Sequence, residues 1–180
     1  MIKIEEFVRL QSYEINPYTL AVAPLWLNDK LCSIVYEFDQ DMIVEMKPFQ
    51  IVKHSCNYFG QSYEGRKEGT KCLMGATHKP PIILETSTRM YLFPTSSPKR
   101  DDCAWLLHSH IIDFYPSHTG TTNVIFSNNK MITLDISIGS FKNQLTNTAQ
   151  LSTIIERRIE KSVRKLNFYL GEGKATNYYR

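Results

Sequence analysis

The sequence predicts an α+β fold: antiparallel hairpins, a central helical insertion and a long C-terminal helix. Three observations predict it. Short β-branched and aromatic runs alternate with turn residues over most of the chain. A helical pattern opens among them at Pro48. After residue 145 an apolar repeat of about 3.6 positions takes over. Strands do not alternate with helices in βαβ fashion, and no helix-turn-helix spacing stands out. The expected organisation is a β-rich domain over residues 1–140 with its insertion at 47–73, an amphipathic helix over 141–170, and a flexible tail over 171–180.

The chain has 180 residues, 42% hydrophobic and 22% charged, enough for one ordinary globular core. Net charge is +3 and the isoelectric point about 8.6, which permits nucleic-acid binding without demanding it. The distribution of charge must therefore decide. MIKIEEFVRL carries Glu5 and Glu6 and no long apolar run, so it does not read as a signal peptide. No stretch approaches the roughly 18 apolar residues of a membrane span. The expectation is a cytoplasmic protein whose four cysteines, Cys32, Cys56, Cys72 and Cys103, are reduced thiols in the core.

In chain order, residues 12–15 and 18–22 read as strands around Asn16-Pro17. Residues 32–38 and 42–46 read as a hairpin turning at 39–41. The central unit is MKPFQIVKHSCNYFGQSYEGRKEGTK, residues 46–71. Pro48 suits a first helical position, and Phe49, Val52, Cys56 and Phe59 share an apolar arc of roughly 80°. Gln50, Lys53, His54 and Asn57 share another face, and Gly60 suits the residue that closes the helix. Residues 61–71 then read as turn-rich, broken by Gly65 and Gly69.

His78-Lys79-Pro80-Pro81 must be extended, because each residue before a proline is pushed out of the helical region. Residues 82–84 and 89–93 read as strands, and 94–102 as an exposed loop with Lys99 and Arg100 at its tip. Residues 105–115 read as one long strand stopped by Pro116. Residues 122–126 and 131–136 form a hairpin around Asn128-Asn129. In the last helix Leu145, Ala149, Ser152, Ile155, Ile159, Val163, Leu166 and Leu170 make the apolar stripe. Arg157, Arg158, Lys161, Arg164 and Lys165 lie opposite, and Glu156 breaks the stripe near its centre. Such a helix lies either with its stripe on the core, or along DNA or a second copy.

Phosphate-binding glycine loops and the common hydrolase and metalloprotease motifs are absent. One enzymatic alternative centres on Cys103, His108 and His110. On a strand the two histidines share a face and could hold Zn²⁺ with Cys103 and a distant ligand such as Cys56 or His78. The same residues could instead make a thiolate–imidazole pair. Residues 46–71 read either as an ordinary helical hairpin with a solvated basic face or as a nucleic-acid contact. Arg and Lys neutralise phosphates, Arg enters narrow A·T-rich grooves, and Asn and Gln bond base edges. The glycine-flanked pair Arg66-Lys67 is expected to form an insertion element, with Arg66 in the groove, Lys67 and Lys71 on flanking phosphates, and Asn57 and Gln61 near base edges. Lys53, Lys79, Lys99 and Arg100 would extend the track.

Several strings carry a family resemblance: MKPFQIV (46–52), SCNYFGQSYEGRKEGT (55–70), HKPPI (78–82), LFPT (92–95) and CAWLLHSHI (103–111). Together they resemble the competence transcription factor family, ComK, of Gram-positive bacteria, from about residue 12 to about residue 160. The resemblance implies a non-enzymatic, cofactor-free activator of DNA-uptake genes, associated with the nucleoid. It implies binding of paired A/T-rich boxes, mainly through the minor groove, as dimers and dimers of dimers that help RNA polymerase engage. It also implies delivery by an adaptor protein to a Clp-type protease through a segment near the C-terminus, which NFYLGEG (167–173) resembles loosely. The motif supports the neighbourhood of Arg66-Lys67; the other site residues are assigned by residue type.

Overall fold

The computed structural model describes residues 7–75 and 78–175. Its fold is α+β, with antiparallel sheets, two central helices and a long C-terminal helix. The strands are β1 (Val8–Leu10), β2 (Thr19–Leu27), β3 (Lys30–Glu37), β4 (Asp41–Val44), β5 (Ile82–Glu85), β6 (Met90–Pro94), β7 (Trp105–Leu107), β8 (Ile111–Pro116), β9 (Thr122–Phe126) and β10 (Met131–Leu134). The helices are α1 (Pro48–Tyr58), α2 (Tyr63–Met74) and α3 (Ile138–Ala175). Seven strands form one sheet in the order β1-β4-β3-β2-β7-β6-β5, and three form a second, β10-β9-β8. Among the described residues only the short β1–β4 pairing is parallel.

Both faces of the large sheet are buried, and β7 shows why. Its side chains alternate, so Trp105 and Leu107 enter the core beneath α1 and α2, while Leu106 enters the core beneath the small sheet and the start of α3. Val52 and Cys56 of α1 join the first core; Phe93, Phe126 and Phe141 join the second. The protein is thus three layers deep, and the helical insertion lies on the face opposite the small sheet.

Helix α1 follows the sequence pattern. Pro48 opens it, and Gly60 at φ +79° carries the chain away. Ser55 adds a tether: its hydroxyl accepts from the Ile15 amide at 2.9 Å. That bond holds residues 12–16 against α1 instead of in a sheet, so the strand expected at 12–15 does not form.

Four further expectations are corrected. The turn-rich reading of 61–71 is wrong, because α2 runs unbroken through Gly65 and Gly69. Ser62 caps its start by accepting from the Gly65 amide, and Gly75 at φ +67° ends it. The long strand at 105–115 is broken by a 3-10 turn at His108–His110, where the chain leaves the large sheet for the small one. Helix α3 begins seven residues before Leu145 and continues through 171–175, so that part of the expected tail is helical; residues 176–180 lie outside the described residues. Its buried stripe is also rotated, being Phe141, Gln144, Thr148 and Leu151. Two of these are polar, which hid the face from an apolar-periodicity argument.

Glu156 explains itself in the structure. It accepts from the Ser152 hydroxyl and pairs with Arg89 of the β5–β6 turn at 3.5 Å. It is the last residue that ties α3 to the body. Every residue from 157 to 171 is exposed, Ile159, Val163, Leu166 and Leu170 included. The stripe of this half does not rest on the core.

The β5–β6 turn is itself set by Glu85, whose carboxylate accepts from the amides and hydroxyls of Ser87 and Thr88. Those bonds, led by the Thr88 hydroxyl, pull its pKa down to about 2. The turn's contribution should therefore be intact above the ordinary Glu range and fade as pH falls from about 4.3 toward 2; amide exchange at Ser87 and Thr88 should accelerate over that interval. A Cβ at Gly69 would meet nothing within 4 Å. Gly69→Ala should accordingly stabilise the protein by roughly 0.5–1 kcal/mol in denaturant titration, since alanine loses less backbone freedom in a helix.

Candidate nucleic-acid interface

Helix α2 is fixed to the sheet by polar bonds. β5 is the outermost strand of the large sheet, and its unpaired edge presents carbonyls. Arg66 donates from Nη1 to Ile83 O and, at 2.8 Å, to Leu84 O, and from Nη2 to Phe59 O at 3.1 Å. Thr70, one turn on, donates to Pro81 O at 2.8 Å. Burial pushes the Arg66 pKa down, an effect opposed by nearby Cys56. The expectation of Arg66 at a glycine-hinged tip is therefore corrected: its guanidinium is spent on the protein's own backbone. The glycines on either side leave an open groove of about 450 Å³ between α2 and β5, and Gln61 lines that groove with Arg66.

Docking α2 through Arg66 and Thr70 turns Lys67 and Lys71 outward. Lys67 reaches a second recess, about 610 Å³, with His78, Lys79 and Arg100. Arg100 belongs to the 96–102 loop, and the other side of that loop lines a recess with Lys47, Lys53 and Lys99. A third recess joins Lys99 and Arg100 to Pro24 and Trp26 of β2. Three recesses therefore converge on one loop. Five expected residues meet there: Lys53, Lys67, Lys79, Lys99 and Arg100. Lys71 lies one turn beyond Lys67 and pairs with Glu68 at 3.6 Å. Asn57, exposed on α1, and Gln61, in the Arg66 groove, line none of the three recesses.

The loop is rigid for its exposure. Arg100 grips Asp102 with Nε at 3.0 Å and Nη2 at 2.5 Å, and Ser96 donates to the same carboxylate. Arg100 is the main cause that pulls the Asp102 pKa down to about 2. Lys47 pairs with Asp101 across the loop at 3.3 Å. Lys53, Lys67, Lys79 and Lys99 have no carboxylate partner among the described residues. Lys53 instead lies over the Phe49 ring, its ammonium 5.0 Å from the centroid.

Three residues of this surface were absent from the expected set. Lys47 and His78 stand inside the quoted strings MKPFQIV and HKPPI, so proximity to Lys53 and Lys79 could have found them. Trp26 is 60% exposed beside Lys99. Only the tertiary approach of β2 to the 96–102 loop reveals it.

The cysteine–histidine alternative does not assemble. Cys103 is 1% exposed, its thiol points at Ser96 O, and burial pushes its pKa up, opposite to what a thiolate nucleophile needs. Burial pushes Cys56 up to about 11, and Cys72, expected in the core, is instead exposed on α2. His110 spends both ring nitrogens, on Ser127 Oγ and Pro17 O, and burial lowers the His108 pKa. No three His, Cys, Asp or Glu side chains gather around one metal position among the described residues. Nor is any described helix long and apolar enough to cross a membrane.

The protein is thus a layered α+β body with lysines gathered around one cross-braced loop. The chain belongs to the ComK protein family, whose model matches residues 10–160. It is similar to the "Competence transcription factor" of Bacillus subtilis (strain 168), 45% identical over 156 residues, 87% of this chain and 81% of that protein. No solved structure matches the chain.

Arg66→Ala should cost about 1.5–3 kcal/mol of folding stability in denaturant titration, because three carbonyls lose a charged donor. Among molecules still folded, the salt dependence of DNA binding should stay unchanged, as for a residue that meets no phosphate.

Proposed function

We propose that this protein is a DNA-binding activator of competence genes. It reads paired A/T-rich boxes, mainly in the minor groove, through the surface around the 96–102 loop. The observation that carries the reading is the convergence of three lysine-lined recesses on that loop. The name of the Bacillus subtilis relative supports the class of function. Lys67, Lys79 and Lys53 meet phosphates on either side, and Lys99 with Trp26 stands where the groove opens. A·T pairs offer a degenerate hydrogen-bond pattern in the minor groove, so groove width and potential supply much of the selectivity. A short rigid loop suits that narrow space better than a helix. Trp26 adds an apolar face of the kind that packs on sugars or wedges at a base step.

The exposed half of α3 carries the remaining partners in this reading. At 1.5 Å per residue, positions 157–175 extend about 28 Å. Its uncovered stripe offers a surface for dimers and dimers of dimers, and its cationic side faces DNA. Contacts with RNA polymerase and with a protease adaptor belong to the same arm. The protein works in the cytoplasm, on the nucleoid, and performs no catalysis.

Titration of an A/T-box duplex against a G·C-rich duplex of equal length, at two salt concentrations, tests the reading. The expected result is tighter A/T-box binding with a steep salt dependence. Lys99→Ala should weaken both duplexes alike and lower the slope of log K on log [salt] by about 0.9. Trp26 is the exposed tryptophan and Trp105 is wholly buried, so bound duplex should shield tryptophan fluorescence from iodide, and Trp26→Phe should abolish the change. Equal binding of the two duplexes, with no shielding, would refute this assignment.

A further inference from the structure

Lys79 stands in an unusual backbone state. Its φ is +48°, in the left-handed region that favours glycine. The next residue is Pro80, which by itself pushes Lys79 toward extended geometry. A side-chain-bearing residue held against both preferences needs an external restraint. The restraint comes from α3. Gln144 is 4% exposed, and its amide nitrogen donates to Lys79 O at 3.0 Å and to Pro94 O at 2.8 Å. One buried amide thus joins the segment before β5, the end of β6 and the first turns of α3. Lys79 itself lines the recess with Lys67, His78 and Arg100.

The geometry points to Gln144 as a positioning residue for DNA binding: by clamping the Lys79 carbonyl it holds the backbone in the left-handed state that delivers the Lys79 ammonium to the recess. Gln144 touches no nucleic acid. Its effect passes wholly through Lys79, so the inference rests on the reading of that recess as a phosphate-contacting surface. It also makes α3 part of the interface. A displacement of the helix at Gln144 releases Lys79 even though no cation on α3 has moved.

The test uses the full chain and an A/T-box duplex titrated across salt, with four variants: Lys79→Gly, Gln144→Leu, Gln144→Asn and the double variant Lys79→Gly with Gln144→Leu. Glycine accepts the left-handed backbone, so Lys79→Gly removes the ammonium without new strain. Lys79→Gly and Gln144→Leu should each lower the salt slope by about 0.9 and weaken binding about fivefold near 0.15 M salt, the share of one phosphate. The double variant should bind no more weakly than either single. Gln144→Asn keeps the amide but withdraws it by one methylene; it reads the same quantities should the leucine variant fold poorly. A merely structural glutamine would lower the melting temperature while leaving the slope of the folded fraction untouched. That outcome, or losses that multiply in the double variant, overturns the positioning role while Lys79→Gly still flattens the slope. An unchanged slope in Lys79→Gly overturns the phosphate reading of the recess, and the positioning role with it.

Discussion

The free edge of β5 is the constraint on which the interface depends. A sheet edge left beneath a helix must find donors for its carbonyls. Arg66 and Thr70 provide them, and in doing so they set the rotation of α2 about its axis. Residues 66 and 70 face the strand, so residues 67 and 71 face away from it. The cation that looked most available in the sequence is the one consumed internally, and its less conspicuous neighbour is the one presented. Two glycines in α2 weaken it as an isolated helix, and its anchoring to β5 outweighs that penalty.

That result explains what could and could not be read in advance. The fold class, the α1 boundaries and most hairpins were legible because they rest on local chemistry: a proline at the start of a helix, a left-handed glycine at its end, alternating apolar residues between turns. The misreadings all have tertiary causes. Gly65 and Gly69 signal a turn until the strand edge that holds α2 is known. His108 and His110 look strand-like until the chain is seen changing sheets between them. Gln144 and Thr148 look solvent-facing until their amide and hydroxyl partners are found. Gln144 and His110 are satisfied by groups far away in the sequence, whereas Thr148 turns its hydroxyl back onto Gln144 O of its own helix. Of the seven cationic residues expected at the site, five converge; which of them meet was decided by the 96–102 loop.

The same loop shows how exposed charge can be made stiff. A lone surface ion pair contributes little to stability. Here Arg100 engages Asp102 through two nitrogens, Ser96 adds a third bond and Lys47 closes on Asp101. The acids occupy Arg100 and Lys47, and this arrangement separates scaffold cations from the unpaired lysines around them.

The pairing of β2 with β7 has a bearing on how the chain is born. Ala21 registers with Leu106, and β3 and β4 are complete long before that partner is synthesised. While the intervening residues emerge, one flank of the N-terminal hairpins remains unzipped, with Leu20, Val22 and Val35 lacking the layers that later enclose them. Contacts this distant along the polymer slow folding and leave strand borders vulnerable to association. The first core is thus complete only once Trp105, wholly buried within it, has been added to the chain.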